Sequence, residues 1–575
     1  MKLHRLSTAL LLLLSVAELQ AVPARKGLKK QIKLDNGKTV TAELRGDEFF
    51  SYYDAGNGNR YVLNAENGLF GDKDFEKFSE RGKVKRDFAN RSRVDQASAK
   101  RRKANSLGGS HTTYTGKKKG LIILVNFQNK TFKFGHNQAF FNRMANETGF
   151  SNNSGFVGSI KDYFLAQSNG QFELDFDVVG PYRLPHPYAY YGAHSSEGGN
   201  DVRPGTMVRD AVQLADKDVD YTQYDWDGDG YVDQVYVLYA GLGEAAGGDN
   251  NTIWPHEWNL SSSEVSQPYR TADGVSVDKY ACGCEQTLNR LGNEQINGIG
   301  TLCHEFSHCL GLPDLYDTNY QNFGMGAWDL LDQGSYNDAD GTHLMGMCPP
   351  NYSAYEKWYC GWITPTTLDG PTSVKGLQAQ HDKYGQVFVV YNDKHTDECY
   401  LLENRRNDNG DTWDQSLAAS GLMIQHVDYN DTIWNYNIVN NTSGSTANYF
   451  HHDHQSLTIF HADNSDSNYA GDLYPYNGNN SLTDTSVPAA IIYHGGSFMG
   501  KPITNITKND DGTISFDFMG GSSSNVVDGI NGIYTTNNNV KPAGIYGLDG
   551  RYYGNDATDV PRGVYIINGK KYIKR

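Results

Sequence analysis

The sequence predicts a mixed α/β domain, then a β-sandwich-like domain, then a small β module. Three observations carry this. A run of buried-strand type, GLIILVNF at 120–127, opens an alternation of helix-patterned and strand-patterned segments. A helix, GTLCHEFSHCLG at 300–311, follows them. From about residue 366 the chain turns strand-rich, with QVFVVYND, YLLENRR, GLMIQHVD, LTIFHAD and TISFDF. At 575 residues it is too long for one ordinary domain.

The elements follow in order. Residues 1–24 read as a signal peptide: a basic start (MKLHR), the apolar run ALLLLLSVA, then small residues at Ala21 and Ala24. The apolar run is too short for a permanent membrane anchor. Residues 25–106 form a basic, propeptide-like segment. Its stretch 25–105 carries 20 Lys+Arg against 12 Asp+Glu and ends in AKRRKAN at 99–105. An exposed basic run of this kind suits removal by cleavage, and a basic leader can dock on an acidic body. An accessory domain with a solvated linker is the other reading.

Residues 107–365 form the α/β domain. SIKDYFLAQSNG reads as a helix ended by Gly170, QFELDFDVVG as an alternating strand, MVRDAVQLAD as a helix and QVYVLYAG as an apolar strand. Residues 366–520 form the β-sandwich-like domain, 521–540 a linker beginning near GGSSSN, and 541–575 a strand-rich terminal module. The net charge of −16 argues against a nucleic-acid partner. Seven cysteines, an odd number, leave at least one without an intrachain partner, although export would permit disulfides.

The segment HEFSHCLGLPD carries the chemistry. Leu302, Phe306, Cys309 and Leu310 share one helical face and should pack inward. His304 and His308, one turn apart, share another face and can converge on one zinc ion. Glu305 lies beside them, placed to act on a metal-bound water as a general base. Gly311 can end the helix in a left-handed conformation and Pro313 cannot continue it. Asp314 can then turn back as third ligand. Glu356, within NYSAYEKWYCGWI, is the rival third ligand.

A second candidate metal segment is DWDGDGYVD. Asp225, Asp227, Asp229 and Asp233, with Gly230 for the turn, match the first nine positions of an EF-hand-like calcium loop. The twelfth position is Tyr236 rather than Glu, so an acidic surface turn competes with structural calcium. Asp463, Asp466 and Asp472 leave a further acidic site open. His451, His452, His454 and His461 read as a partly exposed strand edge before a metal cluster.

HEFSHCLGLPD followed by LYD resembles the immune-inhibitor-A-like metalloproteases (peptidase family M6) of the metzincin group. SIKDYFLAQSNGQF, VVGPY, DWDGDGYVDQVYVLYAG, IWPHEW, GAWDLLDQGSYN and SAYEKWYCGWI also resemble family segments. The resemblance implies a metzincin-like catalytic domain, with His304, His308 and Asp314 as zinc ligands and Glu305 as general base. It implies a secreted or cell-surface zinc endopeptidase, made as a zymogen and acting on protein or peptide substrates. Leu331 stands where many relatives carry the methionine of the turn beneath the zinc, a packing position that Leu fills at similar volume. Tyr336 becomes a candidate to hydrogen-bond the oxyanion. The tail, with GIYGLDGR and GVYIINGKK, resembles the C-terminal sorting domain of the type nine secretion system, which would make secretion machinery a partner. The alternatives are an inactive surface-attached binding protein and a zinc hydrolase acting on a non-protein amide.

Overall fold

The computed structural model describes residues 21–86, 114–152, 155–196, 201–379, 385–408 and 412–522, with five strands beyond them. Residues 1–20 of the signal segment and the basic run 99–105 lie outside the described residues. Among the described residues no helix is long and apolar enough to cross a membrane.

The N-terminal segment folds as an antiparallel five-stranded sheet in sequence order: β1 (Lys29–Lys33), β2 (Thr39–Gly46), β3 (Ser51–Asp54), β4 (Arg60–Asn64) and β5 (Leu69–Gly71). A helix starting at 75 follows. The inner face of this sheet (Ile32, Leu44, Tyr53, Phe70) does not close on itself. It shares one apolar cluster with Ala245, Trp254 and Tyr336 of the next domain.

The α/β domain is built on β6 (Gly116–Asn126), β7 (Phe172–Arg183), β8 (Tyr236–Leu242), β9 (His256–Asn259), β10 (Lys279–Leu288) and β11 (Glu294–Ile296). The order is β11-β10-β8-β6-β7, with β9 also on β10. The three central pairings are parallel, and β9 and β11 run antiparallel to β10. The continuous apolar run in β6 follows from burial on both faces. Ile122 and Leu124 pack with α1 (Gln138–Asn146), α2 (Ile160–Gln167) and α4 (Gly300–Cys309), whereas Leu121, Ile123 and Val125 pack with α3 (Pro204–Ala215). Leu302, Phe306 and Leu310 of the α4 region join the first core, and Cys309 is buried beside them.

A short helix, α5 (Ala354–Tyr359), leads into two five-stranded sheets. The first contains β12 (Thr366–Thr367), β14 (Phe388–Asn392), β15 (His395–Arg405), β16 (Gly421–Asp428) and β17 (Leu457–Ile459). The second contains β13 (Thr372–Leu377), β18 (Ile503–Lys508), β19 (Ile514–Phe518), β20 (Asn525–Asp528) and β21 (Tyr534–Thr536). Phe388, Val390, Leu402 and Ile424 face the second sheet, while Val389, Leu401, Met423 and Val427 enter the core of the α/β domain. The sandwich therefore shares its core with the domain before it. Arg405, 1% exposed in its side chain, seals this junction, with Nε and Nη2 each 2.8 Å from Asp414 and Nη2 3.1 Å from Asn351 O. Two strands, β20 and β21, fall inside the stretch read as a linker, and β20 pairs in parallel with β13. The last three strands, β22 (Ile545–Gly547), β23 (Gly563–Ile567) and β24 (Lys570–Lys574), make an antiparallel sheet. All seven cysteines are buried, and none is in a disulfide.

Candidate metal centre and peptide cleft

Helix α4 is buried along its whole length, which fixes both histidine rings. Gly300 makes the packing possible, because a Cβ there would lie 2.0 Å from Ser335 O. The helix ends as its sequence requires. Gly311 adopts φ +91° and its N–H donates to His308 O at 2.8 Å. The chain then doubles back, and Leu312 O accepts from His308 Nδ1 at 2.8 Å. On the other ring, His304 Nδ1 donates to Leu330 O at 2.7 Å. Both imidazoles are thus held through Nδ1 by backbone carbonyls, which turns both Nε2 atoms inward in the tautomer a metal needs.

They converge on Asp314. Its Oδ1 lies 3.2 Å from His304 Nε2 and 3.4 Å from His308 Nε2. Donors roughly 2.1 Å from a tetrahedral ion sit about 3.4 Å apart, so these three atoms are spaced like one face of a zinc-sized coordination polyhedron. The donor set, two imidazoles and a carboxylate, also suits zinc. Burial opposes the charge on Asp314, but the adjacent histidines overcome it and hold the carboxyl well below the usual range. Burial pushes the pKa of His308 below its ordinary value, against the pull of the Asp314 charge. The rival ligand, Glu356, is elsewhere. It caps α5, accepting from Ser353 N at 2.6 Å.

Glu305 points into the same space, with His304, Glu305 and His308 each offering a donor atom within 4.8 Å of the others. Its carboxyl is pushed well above the ordinary value, first by burial and then by the charges of Asp314, Glu48 and Glu257. Leu331 is fully buried, and its carbonyl accepts from Leu315 N at 2.9 Å. The backbone around it is therefore bonded to the segment 304–315, through Leu330 O and Leu331 O.

The cleft holds a piece of the chain itself. Residues 21–24, placed at the end of the signal segment by sequence, lie buried against Glu305. Val22 N donates to Glu305 Oε1 at 2.8 Å, and Trp254 Nε1 donates to Val22 O at 2.9 Å. Tyr336 OH donates to Pro23 O at 2.7 Å, and Tyr316 OH to Ala21 O at 2.9 Å. Arg25 anchors the stretch, with Nη1 2.6 Å from Leu288 O, 2.7 Å from Leu344 O and 3.1 Å from Thr287 Oγ1.

Sequence reasoning missed the partner of Asp314. Asn437 accepts from Asp314 N at 2.7 Å and donates through Nδ2 to Asp314 Oδ2 at 2.6 Å. Nothing local signals a residue 123 positions away. Trp254 lies in IWPHEW, a segment singled out without a role.

At the acidic loop, Asp225, Asp227 and Asp229 come together with donor atoms within 4.8 Å. Asp233 turns inward, accepting from Trp226 N, and burial raises its pKa to about 6. Tyr236, at the twelfth position, is a buried residue opening β8. The acidic trio at 463–472 does not assemble around one point: Asp472 binds Trp328 Nε1 at 2.6 Å, and Asp463 accepts from Asn468 Nδ2 at 2.8 Å.

A buried helix with two inward imidazoles, an intervening glutamate and a returning aspartate defines a metallopeptidase-type domain. Residues 79–363 match the family described as immune inhibitor A peptidase M6, catalytic domain. It is 27% identical over 245 residues to immune inhibitor A of Bacillus thuringiensis subsp. alesti, covering 38% of this chain and 35% of that protein. It is 28% identical over 229 residues to the pre-pro-metalloprotease PrtV of Vibrio cholerae serotype O1 (strain M66-2), covering 36% of this chain and 24% of that one. The matches thus span about a third or less of the length of these relatives.

Proposed function

We propose that this chain is a secreted zinc endopeptidase made in a latent form. The observation that carries the reading is the run of peptide backbone at 21–25 buried against Glu305 and hydrogen-bonded to Glu305, Tyr336 and Trp254. A site that accommodates extended backbone suits a protein substrate better than a small amide. The relatives named as a metalloprotease and an immune inhibitor support the same class.

His304, His308 and Asp314 would hold the zinc, and Asn437 would orient Asp314. When bound, zinc supplies Lewis-acid polarisation of the scissile carbonyl and acidifies water. Glu305, with its pKa raised by burial, takes a proton from the attacking water and delivers it to the leaving amine. Tyr336 OH, which donates to Pro23 O, donates to a substrate carbonyl as negative charge develops on it. Trp254 Nε1 fixes the substrate backbone beside it.

In this reading residues 21–86 are inhibitory, and the boundary of the signal segment falls before Ala21. Activation requires cleavage within the basic run 99–105 and departure of the segment from the cleft. Asp225, Asp227 and Asp229 hold a structural calcium, with Asp233 bracing the loop from within. Residues 541–575 act as a sorting module of the type nine kind, a reading supported by their GIYGLDGR and GVYIINGKK motifs.

The test is hydrolysis of a denatured protein before and after limited proteolysis of the full chain. Activity that appears with cleavage near 99–105 and disappears with a zinc chelator is expected. Inactivity after complete removal of the N-terminal segment, with zinc bound, would favour a binding protein that has lost catalysis.

A further inference from the structure

A second cluster of imidazoles lies in the β-sandwich, outside the cleft. Asp428 ends β16, and its carboxylate is 7% exposed in the side chain. Three histidines from three other segments aim Nε2 at it. His454 Nε2 is 2.8 Å and His494 Nε2 2.9 Å from Oδ2, and His395 Nε2 is 3.9 Å from Oδ1. His395, Asp428 and His494 each place a donor atom within 4.8 Å of the others, and the rings of His395 and His494 lie 4.1 Å apart. At the M6 site the corresponding separations from Asp314 are 3.2 and 3.4 Å. The two clusters therefore share their donor types, imidazole and carboxylate, and the separations at the second, 2.8 to 3.9 Å, bracket the spacing of about 3.4 Å expected around a tetrahedral ion.

The surroundings are built rather than loose. Asn392 Nδ2 donates to His494 O at 2.7 Å, and Glu398 accepts from His494 N at 3.1 Å, which straps the loop carrying His494 to the hairpin carrying His395. Tyr493 stacks on His454 at 3.6 Å between centroids. His454 Nδ1 faces Asp453 Oδ1 at 2.9 Å while its Nε2 faces Asp428. A neutral imidazole has one N–H and cannot donate to both carboxylates. Either an imidazolium or a cation beside Nε2 resolves this. His395 and His494 are 39% and 43% exposed in their side chains, so an ion can enter and keep an open position.

We propose that His395, Asp428, His454 and His494 form a second zinc site. It holds the β-sandwich loops and is separate from the peptidase centre. The test is zinc content of the full-length protein after exhaustive dialysis, for wild type, His494→Ala, His395→Ala and His308→Ala, with zinc as the only added metal. The expected result is about two zinc ions per wild-type chain and about one in each variant. After cleavage near 99–105, proteolytic activity should match wild type in His494→Ala and His395→Ala. One zinc in wild type and in His308→Ala, with none in His494→Ala, would keep this site and remove the peptidase one. Two zinc ions in both His494→Ala and His395→Ala, or one in wild type and none in His308→Ala, would overturn the proposal and leave an imidazolium network around Asp428.

Discussion

Arg25→Ala should unlatch the cleft without any cleavage of the chain. Arg25 is 3% exposed, and its Nη1 reaches Leu288 O, Leu344 O and Thr287 Oγ1 at 2.6, 2.7 and 3.1 Å. Hydrogen bonds from a charged donor are worth about 1.5–3 kcal/mol each, but all three share one nitrogen and the freed carbonyls can recover water. A net loss of about 3–4 kcal/mol follows for the bound state of residues 21–25. Each 1.4 kcal/mol is roughly tenfold, so the open population should rise about a hundredfold or more. The assay is the initial rate on a quenched fluorescent peptide with uncleaved full-length protein, its integrity checked by mass spectrometry. A rate within threefold of wild type in a folded Arg25→Ala protein would refute the view that this stretch blocks the site.

Three more outcomes follow from the geometry. Asn437→Ala removes both contacts that orient Asp314, so zinc affinity, measured by chelator competition, should fall about 10- to 100-fold. Arg405→Leu leaves Asp414 buried without its partner, and urea unfolding should show a loss of about 3–5 kcal/mol. Burial lowers the pKa of His256 from 6.5 to about 4, with Nδ1 2.7 Å from Trp254 O and Nε2 3.0 Å from Tyr280 OH. The unfolded chain takes up this proton first, so the stabilisation is present above about pH 6.5 and is lost as pH falls towards 4, by up to about 3 kcal/mol. In His256→Gln that part of the pH dependence should vanish from the unfolding free energy.

How much of this was legible in the sequence depended on distance along the chain. His304, Glu305, His308, Gly311 and Asp314 lie within one helix and its turn, so helical period and the demands of a left-handed glycine were enough to place them. The turn back of the chain was enough to bring Asp314 beside both histidines, while Glu356 caps a helix elsewhere. Asn437 was invisible because its contact depends on how the β domain docks. Val22 and Ala24 looked like ordinary small and apolar residues near a signal peptide's end, and their burial depends on a cleft formed by Trp254, Tyr316 and Tyr336. The boundary at 366 marks a change of pattern but no break in packing, since β14, β15 and β16 are apolar on both faces. The histidines at 451–461 were grouped by sequence proximity. In space His452 bonds Ser456, His461 bonds Asp472, and only His454 reaches Asp428, the carboxylate that the distant His395 and His494 also face.

The most direct measurement of the central claim compares wild type and Glu305→Gln, each freed of residues before about 107, in zinc content and in cleavage of a denatured protein. The account predicts equal zinc in both and a rate at least about a thousandfold lower in the variant, because the proton carrier is gone while the ligands remain. Cleavage by Glu305→Gln within tenfold of wild type would contradict it.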